Sequence, residues 1–178
     1  IAVAELLHVA DPEQAGRSLT DVAVAALEGA VRVARAAVDP QGSVDFAVIG
    51  MGRFGGRELG FASDIDVMFV YEAREGVDDE AAVRAAAAIA EELRRLLMAP
   101  SGDPPLDIDA DLRPEGKQGP LVRSLGSYAA YYERWSSTWE AQALLRADMV
   151  AGDEALGAAF LGIIDHLRWI DPLTDDDV

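Results

Sequence analysis

Asp64 and Asp66 stand one residue apart at the head of an apolar run, Ser63-Asp64-Ile65-Asp66-Val67-Met68-Phe69-Val70-Tyr71. Side chains alternate along a β-strand with period two, so the two carboxylates share a face. Carboxylates held side by side repel each other and are costly to bury. A divalent cation removes that cost, and a donor set made only of oxygen suits Mg²⁺. A Gly-rich turn, Gly50-Met51-Gly52-Arg53-Phe54-Gly55-Gly56, precedes the pair. A pliant backbone loop beside a metal-binding pair is what a nucleoside triphosphate requires of its site. A second acidic pattern follows at Leu106-Asp107-Ile108-Asp109-Ala110-Asp111-Leu112. Its strict alternation predicts a strand with one acidic face. That face is either a solvated sheet edge or the source of a third ligand. Three carboxylates can hold two Mg²⁺ ions, an arrangement suited to in-line phosphoryl or nucleotidyl transfer.

Periodicity predicts the elements that must position these groups. Residues 18–38 read as a helix capped by Ser18 or Thr20, with Val24, Leu27, Val31, Ala34 and Val38 as its apolar stripe. Pro40-Gln41-Gly42 ends it, and residues 44–49 are a short strand. One helical turn is expected at Arg57-Glu58-Leu59. The run 65–71 is apolar on both faces and therefore a central strand. Asp79 to Met98 is an Ala-rich helix, acidic at its start, with Arg94 and Arg95 near its end as the macrodipole prefers. Pro and Gly break the chain at 100–105 and again at 114–120. Beyond that the chain reads as helical over 125–135, 137–150 and 153–170. Tyr128, Tyr131, Tyr132, Trp135 and Trp139 fall on helical spacing and read as packing residues rather than an adenine platform. Strands with helices followed by a helical tail imply an α/β or α+β core with an attached bundle.

Bulk properties narrow the function. Fifteen Lys and Arg stand against 32 Asp and Glu, a net charge of −17 over 178 residues. That field repels a nucleic-acid backbone, so no nucleic-acid partner is expected. It repels a nucleotide too, unless local cations intervene; Arg53 and Arg57 follow the Gly-rich turn, and Arg113, Lys117 and Arg123 come later. No apolar run approaches the roughly 20 residues of a membrane span, and no secretory signal is visible. Cys is absent, which excludes disulfides and thiolate metal sites. Together these favour the cytoplasm. The chain opens on Ile1 and closes on Asp175-Asp176-Asp177-Val178, so it reads as a piece of a longer polypeptide.

Gly50-x-Gly52-x-x-Gly55 after an apolar strand, with Glu72 about 20 residues on, also fits the dinucleotide-binding fingerprint. Further glycines at 55, 56 and 60 oppose a long following helix, and the spacing to Ile65 is tight for a crossover.

Three blocks in order resemble the glutamine synthetase adenylyltransferase / adenylyl-removing family of the polymerase-β-like nucleotidyltransferase superfamily. They are the run from Gly50 to Tyr71, the run from Asp109 to Val122, and Tyr131-Tyr132 with Trp139-Glu140-Ala141-Gln142-Ala143-Leu144-Leu145-Arg146-Ala147. The resemblance covers roughly residues 44–153. It implies an α+β fold: a small mixed sheet flanked by helices, with a C-terminal helical extension. The expected division is an N-terminal helical segment 1–43, a catalytic core 44–124 and a helical extension 125–178. It implies that Asp64, Asp66 and Asp109 are catalytic metal ligands. It implies that Gly52, Arg53, Gly55, Gly56 and Ser63 approach the triphosphate, with Arg113 and Lys117 in a loop bordering the site. Asp111 departs from the family, which commonly has a basic residue there, and it shares a face with Asp109. The implied activity is ATP- and Mg²⁺-dependent adenylylation of a tyrosine of glutamine synthetase, or removal of that AMP by phosphorolysis. The implied partners are glutamine synthetase, the other catalytic half of a tandem polypeptide and a nitrogen-status signalling protein. A non-catalytic module of the same fold, or a nucleotidyltransferase with another substrate, are the alternatives.

Overall fold

The structure is a computed structural model that describes residues 11–100, 105–135 and 138–168. The Pro/Gly break at 101–104, the side chain of Trp135 and the acidic C-terminal run lie outside the described residues.

Helix α1 spans Pro12–Val38. It starts earlier than its apolar stripe suggests because Asp11 caps it: the Asp11 carboxylate accepts from the Gln14 N–H at 2.7 Å, and Pro12 opens the helix. Thr20, expected as a cap, is instead buried inside the helix. Its hydroxyl donates to the Gly16 carbonyl at 2.8 Å and accepts from the Leu59 N–H. Strand β1 is Val44–Gly50 and β2 is Ile65–Ala73, paired antiparallel from Val44↔Ala73 to Gly50↔Val67. Between them, α2 covers Gly52–Gly55. The helical turn expected at 57–59 therefore falls five residues earlier. Helix α3, Asp79–Leu97, is capped by Asp78, which accepts from the Ala81 N–H at 2.9 Å.

The acidic run 106–112 yields only a two-residue strand, β3, Ile108–Asp109, parallel to β2. A further short strand that periodicity missed, β4 (Val122–Ser124), also runs parallel to β2, beside Phe69–Tyr71. Helices α4 (Leu125–Trp135) and α5 (Thr138–Leu144) follow. The predicted continuous helix over 137–150 is corrected: Asp148–Gly152 is strand β5, antiparallel to β1, and α6 resumes at Glu154–Arg168. The strong helix formers of 140–145 obscure this strand, whose apolar core of Met149, Val150 and Ala151 is too short to show a period.

The sheet order is β3-β2-β1-β5, with β4 also on β2, so β2 is central as its two-sided apolar pattern requires. Alternation divides its side chains. Ile65, Val67 and Phe69 pack with Leu27 and Val31 of α1 and Ile89 and Leu93 of α3. Met68 and Val70 pack on the opposite face with Tyr128, Tyr132, Phe160 and Ile164 of α4 and α6. Each such side chain, fully buried, contributes about 1.5–3 kcal/mol. The result is a small mixed sheet flanked by helices on both faces, as the resemblance implied.

Candidate active site

The alternation that buries Ile65 and Val67 sends Asp66 to the other face of β2, at the end of the row that continues with Met68 and Val70. Register then supplies a neighbour: Asp66 lies directly opposite Asp109 of β3. Asp64 stands two residues before Asp66, just ahead of β2, and is exposed. The Asp66 carboxyl is pushed above the usual carboxylate range, first by burial, then by the charges of Asp109 and Asp64. Like charges that penalise each other's ionisation are the condition a hard cation relieves. The oxygen-only donor set fits Mg²⁺ in kind. Among the described residues, no three carboxylate or imidazole side chains are already drawn together as a metal cage.

The Gly-rich turn is fitted to this pair. Gly52 has φ +53°, and a Cβ there would lie 2.7 Å from Asp66 Oδ2. Both the left-handed backbone and the close approach favour glycine. The Met51 N–H donates to the Asp66 carbonyl at 2.8 Å and pins the turn to the head of β2. Gly55 has a different task. A Cβ on it would lie 2.1 Å from the Arg146 carbonyl oxygen and 2.4 Å from that of Gly50, so its hydrogen lets backbone pack on backbone. Gly56 lies against the Arg146 side chain, which pairs with Glu58. Arg53 is exposed on α2, and its guanidinium and the Ser63 hydroxyl both border Gly60. Ala62, two residues before Asp64, is held at φ +57°, and Phe61 beside it is half exposed.

Asp109 and Asp111, indistinguishable by alternation, are separated by the backbone. Asp109 Oδ1 accepts from the Asp111 N–H at 2.7 Å, a local bond that turns the chain out of β3. Asp111 therefore leaves the strand and pairs with Lys117 Nζ at 3.1 Å and Arg113 at 3.5 Å. The Lys117 hydrogen bond, ahead of smaller charge effects, holds its carboxyl below the ordinary range. Asp107 is exposed, and its carbonyl accepts from the Ile65 N–H at 2.9 Å. Arg113 is buried, and its guanidinium donates to the carbonyls of Ala110 at 2.7 Å, Gly119 at 3.1 Å and Lys117 at 3.3 Å. It organises the 113–119 loop from within.

That loop is tied to the helical layer. Arg123 pairs with Glu115 at 2.6 Å and lies over the Tyr131 ring, 5.3 Å from its centroid. The Tyr131 hydroxyl donates to Glu140 at 2.7 Å, and Glu140 is buried. Burial first, then this bond, pushes the Tyr131 hydroxyl up to about 12. Tyr128 and Tyr132 are core residues as expected, whereas Trp139 is 51% exposed and is not a packing residue.

A cleft of about 490 Å³ opens beside β3, and Asp64, Asp109, Asp111, Arg113 and Lys117 line it. Asp66, Gly52, Arg53, Gly55, Gly56 and Ser63 are not among its walls; of these, Asp66 adjoins it through its register with Asp109, and Gly52 through its approach to Asp66. Arg94 of α3 also lines the cleft, a position that the helix-end reading of Arg94-Arg95 missed. The signal was available: Arg94 follows buried Ala90 by four residues and sits at the margin of the stripe Ala86, Ile89, Ala90, Leu93. The dinucleotide reading fails on topology, because β1 and β2 are antiparallel and α2 has four residues.

Three relatives place the chain among known proteins. It is 58% identical over 165 residues to the bifunctional glutamine synthetase adenylyltransferase/adenylyl-removing enzyme of Streptomyces avermitilis, covering 92% of this chain. Proteins of the same description match it in Mycobacterium tuberculosis, at 55% identity over 95% of the chain, and in Nocardia farcinica, at 51% over 95%. The chain spans only 16% of the Streptomyces avermitilis protein and 17% of the other two. A model of the glutamate-ammonia ligase adenylyltransferase family matches residues 1–163, and the chain belongs to that family.

Proposed function

We propose that this chain is a nucleotidyltransferase unit that transfers AMP from ATP to a tyrosine of glutamine synthetase, or removes it by phosphorolysis, at the carboxylates at the head of β2 and in β3. The observation that carries this reading is the register of Asp66 with Asp109, with Asp64 two residues before and Gly52 shaped against Asp66. The description shared by the relatives supports the substrate. Asp64, Asp66 and Asp109 would hold Mg²⁺, which when bound neutralises phosphate charge and activates the reacting oxygens.

The chain's own residues account for the rest. Gly52 lets the turn approach Asp66, and Arg53 and Ser63 meet the triphosphate. Asp109 spends Oδ1 on the Asp111 N–H, so its other oxygen, Oδ2, is the one to accept the phenolic proton. The tyrosine oxygen then bonds to the α-phosphorus, and the bond to the β-phosphate oxygen breaks, releasing pyrophosphate. In the removing direction inorganic phosphate attacks the same phosphorus, the tyrosine leaves with a proton, and ADP is formed. We further propose that this unit works beside the other catalytic half of one polypeptide, in the cytoplasm, under a nitrogen-status signalling protein.

Calorimetric titration of ATP with Mg²⁺, without Mg²⁺, and into Asp66→Asn tests the reading. Binding that needs the metal and disappears in the variant supports it, and assays with glutamine synthetase in both directions then assign the reaction. Binding indifferent to Mg²⁺ and to Asp66 overturns it.

A further inference from the structure

We propose that Arg94 binds a phosphate group in the cleft it shares with Asp64 and Asp109. This rests on the reading of that cleft as the nucleotidyl-transfer site. Three cations line the cleft, and two of them are engaged. Lys117 is paired with Asp111, and the guanidinium of Arg113 is taken up by loop carbonyls. The Arg94 side chain makes no hydrogen bond or ion pair among the described residues, and its Nε is buried without an acceptor. A guanidinium carries five donors in a planar fork and is charged at every physiological pH. Leaving such a group half-buried and unpaired costs free energy that a neighbouring residue would normally relieve. Its neighbour Arg95 shows the ordinary solution, a two-bond pair with Glu92 at 2.7 Å. Arg94 instead faces a cleft whose walls carry the Asp64, Asp107 and Asp109 carboxylates, with none of which it pairs.

A cation and several anions that line one cleft without pairing leave space between them. A phosphate fills such a space from both sides: its oxygens take the guanidinium fork, and its metal counter-ion takes the carboxylates. The need is acute here because the chain carries −17. An entering phosphate meets repulsion unless a fixed cation offsets it. Two sources share this chemistry, the terminal phosphates of ATP and free inorganic phosphate.

The test titrates ATP and inorganic phosphate separately, each with Mg²⁺, into the full chain, Arg94→Gln and Arg94→Lys, with thermal melts alongside. Arg94→Gln should weaken one ligand about ten-fold or more, with Arg94→Lys intermediate because it keeps the charge and loses the fork. Loss for ATP alone assigns the triphosphate, and loss for inorganic phosphate alone assigns the attacking phosphate of the removing reaction. The ligand-free melting temperature of Arg94→Gln should equal or exceed that of the parent, since no ion pair is broken. Unchanged affinity for both ligands, while Asp66→Asn still abolishes Mg²⁺-dependent ATP binding, overturns the role of Arg94 and leaves the carboxylate site standing. A lower melting temperature with unchanged affinities assigns Arg94 to the fold and overturns it as well. Failure of the unsubstituted chain to bind either ligand overturns both readings.

Discussion

Gly52→Ala separates the role of the Gly-rich turn in the site from its role in the fold. The added Cβ lands 2.7 Å from Asp66 Oδ2, inside any normal contact, on a backbone at φ +53°. An L-residue held in the left-handed region loses roughly 1–2 kcal/mol. The obstacle is the far end of a side chain, so Asp66 yields by rotating, which costs about 0.5–1.5 kcal/mol. The stability loss is therefore about 1.5–3.5 kcal/mol, or roughly 3–14 °C in melting temperature for a chain of this size. The effect on chemistry is larger in proportion. The carboxylate must retreat by several tenths of an ångström from the position that faces Asp109, and a misplacement near 1 Å costs on the order of 10²-fold in rate. Thermal melts by circular dichroism, with Mg²⁺-dependent ATP titration and AMP transfer below the melting range, measure the two losses separately. The double variant Gly52→Ala/Asp66→Asn should be no less active than Asp66→Asn alone, because both act on one carboxylate. A Gly52→Ala variant that melts lower but keeps parental ATP affinity and turnover would refute the assignment of Asp66 to the reaction.

Asp66→Asn should raise the melting temperature of the chelator-treated chain at neutral pH. The folded-state carboxyl is raised by burial and by Asp109 and Asp64, so its ionised form destabilises the fold above the folded-state pKa. That penalty fades as pH falls through the folded value to the ordinary carboxylate range, so melts at successive pH values should show the gap between parent and variant closing on acidification. Gly55→Ala should be more disruptive than Gly52→Ala, at about 3 kcal/mol or more, because the Cβ strikes the Arg146 and Gly50 carbonyls, which are backbone; urea unfolding measures it. Tyr131→Phe removes one charge-assisted bond to buried Glu140 and should cost about 1.5–3 kcal/mol in the same assay.

What the sequence disclosed follows the range of the interactions involved. Alternation is local, so the turning of Asp66 away from the face of Ile65 and Val67 and the central place of β2 could be read directly. The pairing of Asp66 with Asp109 depends on register between strands far apart in the chain, which alternation cannot specify. The same pattern over-extended β3, because Asp107, Asp109 and Asp111 alternate in sequence while the side chain of Asp109 bends the backbone away at Asp111. The start of α1 was missed because Asp11-Pro12 precedes the apolar stripe that located the helix. Strand β5 was missed because tertiary pairing with β1 overrides weak local preference. Arg94 illustrates the remaining gap: its place on the helix was plain, but the lack of a side-chain partner among the described residues is a property of the packed molecule.

The position of β5 also sets the order in which a nascent chain can complete its sheet. Strands β1 and β2 can pair soon after both leave the ribosome, as they are joined by one short segment. The other edge of β1 waits for Asp148–Gly152, which at ~5–20 residues per second emerge about 5–20 s later. Until then Val44–Gly50 presents unpaired N–H and C=O groups beside an apolar face, a template for another chain's strand. Gly152 then closes the edge at φ +99°, where a Cβ would lie 2.2 Å from the Phe46 carbonyl oxygen. A side chain there would hold the sheet open at its last step, and polypeptides ending short of β5 should accumulate as aggregates rather than as shorter folded domains.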